Sequence, residues 1–197
     1  MVYLDQAATS FPKIDTVKQA AIEAMEGAGN ANRSANMDAS RLIFQARKNV
    51  ANFFQIPDFH RVILNSGNTE SLNTCIKGIL KEKDHVITTY AEHNSVLRPL
   101  YELEKKGFIS LTICSPYLED IKNQFQLNTR MVVMTHSSNV TGEIFDVQEI
   151  GHYCKEHGVL LMVDAAQSAG HIPVSIENID ILCFSGHKGL LGIGGIG

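Results

Sequence analysis

The sequence lacks the features that mark nucleic-acid-binding and membrane proteins. Its 197 residues carry 17 lysines and arginines against 21 aspartates and glutamates, a formal charge of −4, and the two signs are interspersed. No basic stripe is present that could neutralise a phosphate backbone or an anionic membrane. No apolar run is long enough to span a bilayer, and residues 1–30 contain no charged segment followed by a continuous apolar core. We therefore expect a cytoplasmic protein with no nucleic-acid or membrane partner.

The sequence also lacks closely spaced cysteines. It has four cysteines and no C-x-x-C pair: Cys75, Cys114, Cys154 and Cys183. A chain of this length builds a core without cross-links, so a disulfide framework is not expected. Each cysteine lies in or beside an apolar stretch, which predicts a small buried side chain rather than a reactive thiolate. His152, Cys154 and His157 do not predict a metal site, because offsets of two and five residues do not share one helix face.

What the sequence does contain is an alternation of short apolar runs with helical stretches. Six β-branched apolar runs predict strands buried on both faces: 62–64, 86–89, 109–113, 131–134, 159–163 and 181–184. Apolar residues at helical spacing predict six helices, with a turn at 27–32: 15–26, 38–54, 69–81, 94–106, 118–126 and 146–157. This alternation predicts an α/β fold, a mostly parallel sheet with helices on both faces. Ligands of such sheets bind at the carboxyl ends of the strands.

Polar residues follow almost every predicted strand. The segments concerned are Ser66–Glu70, Glu92–Asn94, Ser137–Gly142, Asp164–Gln167 and Ser185–Gly189. A turn needs glycine or asparagine, but it does not need a lysine, a histidine and an aspartate at successive strand ends. We therefore predict a functional site at this edge of the sheet.

Two charged residues at this edge suit one particular cofactor. Lys188 lies just past an apolar run, beside a histidine and between two glycines. Such a lysine is either a solvated surface residue or, with a lowered pKa, an amine that forms a Schiff base with a carbonyl. Asp164 ends a strand, where it either caps a helix or pairs with a protonated pyridine nitrogen. Together they are the pair expected for pyridoxal 5'-phosphate.

Two further segments fit the same interpretation. Ser66-Gly67-Asn68-Thr69 passes from an apolar run into a helix, where backbone N–H groups and the threonine hydroxyl would face an anion such as phosphate. The same residue types are also common helix caps. His93 lies at another strand end. It is either an ordinary surface histidine or a functional one, which would cover a ligand as an aromatic lid or carry a proton.

These residues lie in segments that carry a family resemblance. The segments are Tyr3–Ser10, Asn32–Ser34, Thr69–Asn73, Glu92–Pro99, His136–Gly142, Val163–Gln167 and Ser185–Gly189. In this order, and spread over the whole chain, they resemble the N-terminal half of a class V aminotransferase-type, pyridoxal-phosphate-dependent cysteine desulfurase. The resemblance implies the large domain of the fold type I transferases.

The resemblance implies a role for each residue around the cofactor ring. Lys188 would form the Schiff base and carry the proton at the substrate α-carbon. Asp164 would bind the pyridine nitrogen and Gln167 the ring hydroxyl. His93 would stack on the ring, and Asn139 would lie near the ring and the substrate carboxylate.

At the other end of the cofactor, the resemblance implies a phosphate site. Four residues would hold the phosphate: Asn68, Thr69, Ser185 and His187. No metal is implied.

The resemblance also implies a reaction and an organisation. L-cysteine would lose its sulfur to leave alanine and an enzyme persulfide, with a sulfur-acceptor protein as a possible partner. In the family the nucleophilic cysteine and the arginine for the substrate carboxylate come from the C-terminal half, and none of the four cysteines here matches. Residues 1–30 would be an N-terminal arm with the first helix and 31–197 an incomplete large domain, without its last strand and small C-terminal domain. A homodimer is expected.

Three alternatives stay open beside this interpretation. Gly192-x-Gly194-x-x-Gly197 has the spacing of a dinucleotide-binding loop, but it lacks the helix and the later acidic residue which that motif requires. A selenocysteine lyase, an aminotransferase or another class V enzyme would share the same cofactor residues. The chain could also be a non-catalytic module that keeps the cofactor site or only its fold.

Overall fold

The computed structural model describes residues 2–27 and 37–197. Asn32–Ser34, most of the turn predicted at 27–32, and the domain boundary predicted between residues 30 and 31 lie outside these residues. The helices are α1 (Asp15–Gly27), α2 (Asp38–Phe53), α3 (Asn68–Ile79), α4 (Asn94–Lys105), α5 (Leu118–Lys122) and α6 (Val147–Glu156), with a 3-10 turn at Phe59–Arg61. The strands are β1 (Asp84–Thr89), β2 (Ile109–Cys114), β3 (Thr129–Thr135), β4 (Leu160–Asp164) and β5 (Ile181–Cys183).

The five strands form one sheet in the order β2-β1-β3-β4-β5, and every neighbouring pair is parallel. This confirms the predicted parallel sheet, and five of the six predicted runs agree with observed strands. Thr135, Asp164 and Cys183 are register partners at the carboxyl end of β3, β4 and β5. The polar segments that follow these strands therefore start from one edge of the sheet.

The core lies on both faces of the sheet, as β3 shows. Met131 and Val133 belong to a cluster that includes buried residues of α3 and α4. Val132 and Met134 belong to a second cluster, with residues of α5 and α6. Because successive strand residues point to opposite faces, an unbroken apolar strand is stable only between two helical layers.

Within residues 2–27 and 37–197, no helix has the length and apolar character needed to cross a bilayer.

Two predictions about elements were wrong. The run 62–64 is extended at Val62 but is not a strand. Val62 N donates back to Phe59 O at 3.1 Å, and the residue after the run, Asn65, exchanges two backbone hydrogen bonds with Gly197, at 2.7 and 3.0 Å. Val62 is buried while Ile63 is exposed, so the apolar run reflects local packing rather than membership of the sheet. Helix α5 ends at Lys122 rather than at residue 126, because the next backbone bonds, such as Phe125 N to Lys122 O, tighten the chain into a turn.

Candidate active site

A cavity of about 590 Å³ lies at the carboxyl edge of the sheet. All nine residues predicted to form the site line it: Asn68, Thr69, His93, Asn139, Asp164, Gln167, Ser185, His187 and Lys188. They come from segments that follow different strands or begin different helices, so only the parallel sheet brings them together. Their individual roles remain predictions.

Asp164, the last residue of β4, is the most buried charged group of the cavity, with 3% of its surface exposed. Its Oδ1 accepts hydrogen bonds from Asn68 Nδ2 at 2.8 Å and from the Ala166 backbone at 2.9 Å. Burial raises the pKa of Asp164, although these bonds and the charges of Lys188 and His93 act to lower it. A carboxylate in this setting is best stabilised by a cationic partner.

Lys188 provides an amine in the same cavity. The side chain is half-buried, and this burial lowers the pKa of Lys188 against the opposing effect of the Asp164 charge. A lowered pKa increases the fraction of neutral amine, the form that attacks a carbonyl or accepts a proton. The cavity therefore pairs a nucleophilic amine with a buried carboxyl group.

The loop around Lys188 is held by the N-terminal arm, residues 2–13. The carbonyl oxygen of His187 accepts hydrogen bonds from the Ser10 backbone, the Ser10 and Thr9 hydroxyls and Lys13 Nζ, all at 3.0 Å. On the other side, Gln167 Nε2 donates to the Ala7 carbonyl at 3.0 Å. The arm thus covers part of the cavity and contacts two of the segments that form it.

At the rim, His93 begins helix α4 as its cap. His93 Nδ1 accepts from the Ser95 backbone at 3.1 Å and lies 2.9 Å from Ser95 Oγ. Ser95 Oγ in turn lies 2.9 Å from Thr69 Oγ1, at the start of α3. Because Nδ1 is an acceptor, a neutral His93 carries its hydrogen on Nε2. This chain of contacts orients the ring and couples the starts of α3 and α4.

Three polar atoms of cavity-lining residues are buried and have no hydrogen-bond partner: Asn68 Oδ1, Ser185 Oγ and His187 Nδ1. Helix α3 also begins here, after Gly67, without a side-chain cap. Its first N–H groups have no carbonyl within the helix to bind. Buried polar groups are nearly always paired, so this set indicates a polar ligand. The first N–H groups of α3, the Ser185 hydroxyl and the His187 ring can donate to an anion, whereas Asn68 Oδ1 can only accept.

Sequence reasoning missed several residues that line or support the cavity. Asp5, Ala7 and Ala8 of the arm line it, although their segment was assigned no role. Ser95 links His93 to Thr69, and a serine two residues after a cap is the available signal for such a bond. Glu92, next to His93, is buried and accepts hydrogen bonds from Thr89 Oγ1 and from the backbone of Thr135, a cavity-lining residue.

The alternative motifs do not form sites in the described residues. On α6, Cys154 is buried while His152 and His157 are exposed, so the three side chains do not converge. Gly192 follows turns rather than a strand, which is not the geometry of a dinucleotide-binding loop. Within residues 2–27 and 37–197, no group of three or more histidine, cysteine or acidic side chains is arranged to hold a metal.

Comparison with known proteins identifies the family. The family model described as aminotransferase class-V matches residues 2–197. The chain belongs to the aminotransferase class-V family. Cysteine desulfurase IscS of Plasmodium falciparum (isolate 3D7) is 34% identical over 213 aligned residues, which cover 99% of this chain and 38% of that protein. This membership confirms the resemblance seen in the sequence.

Solved structures of related proteins share the fold. The apo structure of a cysteine desulfurase from Thermococcus onnurineus NA1 matches with a TM-score of 0.88 and 31% identity, covering 99% of this chain and 52% of that one. The structure of SspA in complex with cysteine matches with a TM-score of 0.89 and 27% identity, covering 100% of this chain and 60% of that one. This class-V chain thus spans 38% to 60% of the length of these three proteins.

Proposed function

We propose that this chain carries the cofactor site of a pyridoxal-phosphate-dependent cysteine desulfurase. The observation that supports this most directly is that the Lys188 amine and the buried Asp164 carboxyl line one cavity together with three unpartnered buried polar atoms. The family and the cysteine desulfurases among its relatives favour this activity over other chemistry at the same site.

The residues present fit pyridoxal phosphate at both of its ends. Lys188 would bind the aldehyde carbon, and Asp164 would pair with the protonated ring nitrogen. The first N–H groups of α3, with the unpartnered Ser185 hydroxyl and His187 ring, would hold the phosphate. The Asn68 side chain already donates to Asp164, so we propose that it positions this carboxyl group rather than contacting the phosphate.

When bound, pyridoxal phosphate supplies an electron sink that stabilises negative charge at the α-carbon of an amino acid. Lys188, with its lowered pKa, would accept the proton from that carbon and return it. His93 would cover the ring from the rim of the cavity, and Asn139 would bind the substrate carboxylate. All four cysteines lie among the described residues and none lines the cavity, so the thiol that accepts the sulfur is not one of them.

The cofactor assignment is tested by visible absorbance of the purified chain with added pyridoxal phosphate. We expect a band that the Lys188→Ala variant lacks, because Lys188 is the one lysine that lines the cavity in the part of the chain that the structure describes. Lys155→Ala removes an exposed lysine of α6 and is the matched control, which should keep the band. No band in the folded chain, or an equal band in the Lys188→Ala variant, would overturn the proposed function.

The substrate is tested by adding amino acids to the loaded chain and assaying alanine. L-cysteine should change the absorbance band at concentrations where L-aspartate does not. We expect little alanine, since no cysteine of this chain lines the cavity to take up the sulfur. An equal response to L-aspartate, or a response confined to L-selenocysteine, would replace the desulfurase proposal with another class V activity.

We also propose that the protein is a homodimer. The N-terminal arm and the first two helices expose large apolar side chains, among them Leu4 at 89%, Met25 at 79% and Phe44 at 47%. Large exposed apolar side chains in such numbers favour an interaction surface on these segments. Light scattering that gives the mass of a single chain at micromolar concentration would contradict this.

A further inference from the structure

A second cavity, of about 330 Å³, shares no lining residue with the proposed cofactor site, and two cysteines line it. Cys75 belongs to α3, and Cys183 is the last residue of β5. These residues are 108 positions apart in sequence, and only the packing of α3 on the sheet brings them together. Neither lies in a segment that carries the family resemblance.

The two side chains belong to one packed cluster and line the same cavity. Hydrogen bonding with Cys183 lowers the pKa of Cys75 to about 7, although burial opposes the shift. The same bond, with burial, raises the pKa of Cys183. Cys75 is half-buried and Cys183 is buried, so the cavity gives a small reagent access to Cys75 first.

The other two cysteines provide an internal contrast. Burial raises the pKa of Cys114 to about 11 and that of Cys154 to about 12. Neither lines the second cavity. The thiolate, not the thiol, is the nucleophile, so the lowered pKa and the position at the cavity both favour Cys75 over Cys114 and Cys154 as the attacking thiol. The sequence-based expectation of small buried side chains is confirmed for Cys154 and Cys183 and wrong for Cys75 and Cys114, which are half-buried.

We propose that Cys75 and Cys183 form a redox-active dithiol site that a peroxide converts to a disulfide. Helix α3 packs on β5 and both side chains line one cavity, so rotation of the two side chains is the movement that would bring the sulfurs to bonding distance. The site lies between α3, whose first residues line the cofactor cavity, and β5, which leads to Ser185 and Lys188. The disulfide would covalently join the two elements, α3 and β5, that lead into the proposed cofactor cavity.

The oxidation takes two electrons from the two thiols and delivers them to the peroxide. The Cys75 thiolate attacks one peroxide oxygen, the O–O bond breaks, and the leaving hydroxide or alkoxide takes a proton from solvent. The Cys183 sulfur then attacks the Cys75 sulfenic acid. The S–O bond breaks as the S–S bond forms, and the hydroxyl group leaves as water with the proton of Cys183.

Peptide mapping of the folded, reduced chain after treatment with hydrogen peroxide and alkylation tests the proposal without any cofactor. We expect a linked Cys75–Cys183 peptide, with Cys114 and Cys154 recovered as alkylated thiols. Cys75 should react on the order of tenfold or more faster than Cys114, because its thiolate fraction is far larger at neutral pH.

Variants distinguish the two steps. In the Cys183→Ser variant the sulfenic acid should persist at Cys75 and be trapped by dimedone, whereas the Cys75→Ser variant should show no dimedone adduct. Cys114→Ser and Cys154→Ser are the matched controls, and both should still form the linked peptide. Four free thiols after treatment of the folded chain, a link that includes Cys114 or Cys154, or a dimedone adduct at another cysteine would overturn the proposal.

Discussion

At the residue scale, Asp164 shows how one side chain depends on neighbours far away in sequence. Its Oδ1 is bound by Asn68, 96 positions earlier, at the start of α3. This bond opposes the effect of burial on the Asp164 pKa and so favours the ionised carboxyl group. An ionised Asp164 is the form that would hold a protonated ring nitrogen.

Replacing Asn68 with alanine tests this dependence. Asn68→Ala removes the donor, so the Asp164 pKa should rise further and pyridoxal phosphate should bind roughly 10-fold or more weakly, the usual effect of losing a hydrogen bond to a charged group. An absorbance titration at several pH values measures both effects. Asn73→Ala is the control, since Asn73 Nδ2 donates only to the Thr69 carbonyl of the same helix. Equal affinities for the two variants would contradict the role of Asn68.

At the scale of elements, Glu92 joins the carboxyl ends of β1 and β3. Its Oε1 accepts from Thr89 Oγ1 at 2.7 Å and from the Thr135 backbone at 2.8 Å, while Oε2 is buried without a partner. Burial, with the nearby Asp164 charge, raises the pKa of Glu92 to about 8, and its two hydrogen bonds oppose this. The neutral acid is therefore the form that suits the folded chain.

This shift predicts a pH dependence of stability. Because the Glu92 pKa is higher in the folded state than its ordinary value of 4.5, its contribution to the free energy of unfolding is full below about pH 4.5 and is lost as pH rises through 8. Glu92→Gln resembles the neutral acid and should flatten this decline. Chemical denaturation between roughly pH 5 and pH 8, where the unfolded chain has lost this proton and the folded chain still holds it, measures the slope. The control is Glu104→Gln, at an exposed position of α4, which should keep the parent chain's slope of unfolding free energy against pH. The same slope in the Glu92→Gln variant would refute this account.

At the scale of the whole molecule, the Lys188 loop depends on two distant segments. The N-terminal arm binds the carbonyl of His187, and the turn after β4 packs against Gly189 so closely that a Cβ there would meet Ala169 O. Gly170, at a φ of +85°, approaches the same backbone. The position of the amine in the cavity thus results from contacts among three parts of the chain.

A substitution of Gly189 tests this packing. Gly189→Ala should lower the free energy of unfolding by about 1–3 kcal/mol, because backbone atoms rather than a flexible side chain must move. The same shift should displace Lys188 and weaken the cofactor band. Gly194→Ala adds the same methyl group where no atom lies within 4 Å, so urea denaturation should give it nearly the stability of the parent chain. Equal stability of both variants would show that the loop tolerates the displacement.

The sequence by itself determined the parallel sheet and the edge at which its site lies. Unbroken runs such as Met131–Met134 have one stable solution, burial between two helical layers, and the residue after such a run must lie at the strand's carboxyl end. Lys188 and Asp164 could be assigned to one site for this reason. The family motifs then supplied the expected cofactor.

Only the tertiary structure determined the contacts between residues of different helices and strands, and the properties that depend on those contacts. The run 62–64 has the pattern of a strand, but a strand also needs a paired neighbour, which periodicity does not specify. The bond from Asn68 to Asp164, the effect of Asp164 on Glu92 and the contact between Cys75 and Cys183 each join residues tens of positions apart. Shifts in pKa and the reactivity of thiols depend on burial and on separations of a few ångströms between side chains. This burial and these short separations exist only once the helices have packed on the sheet.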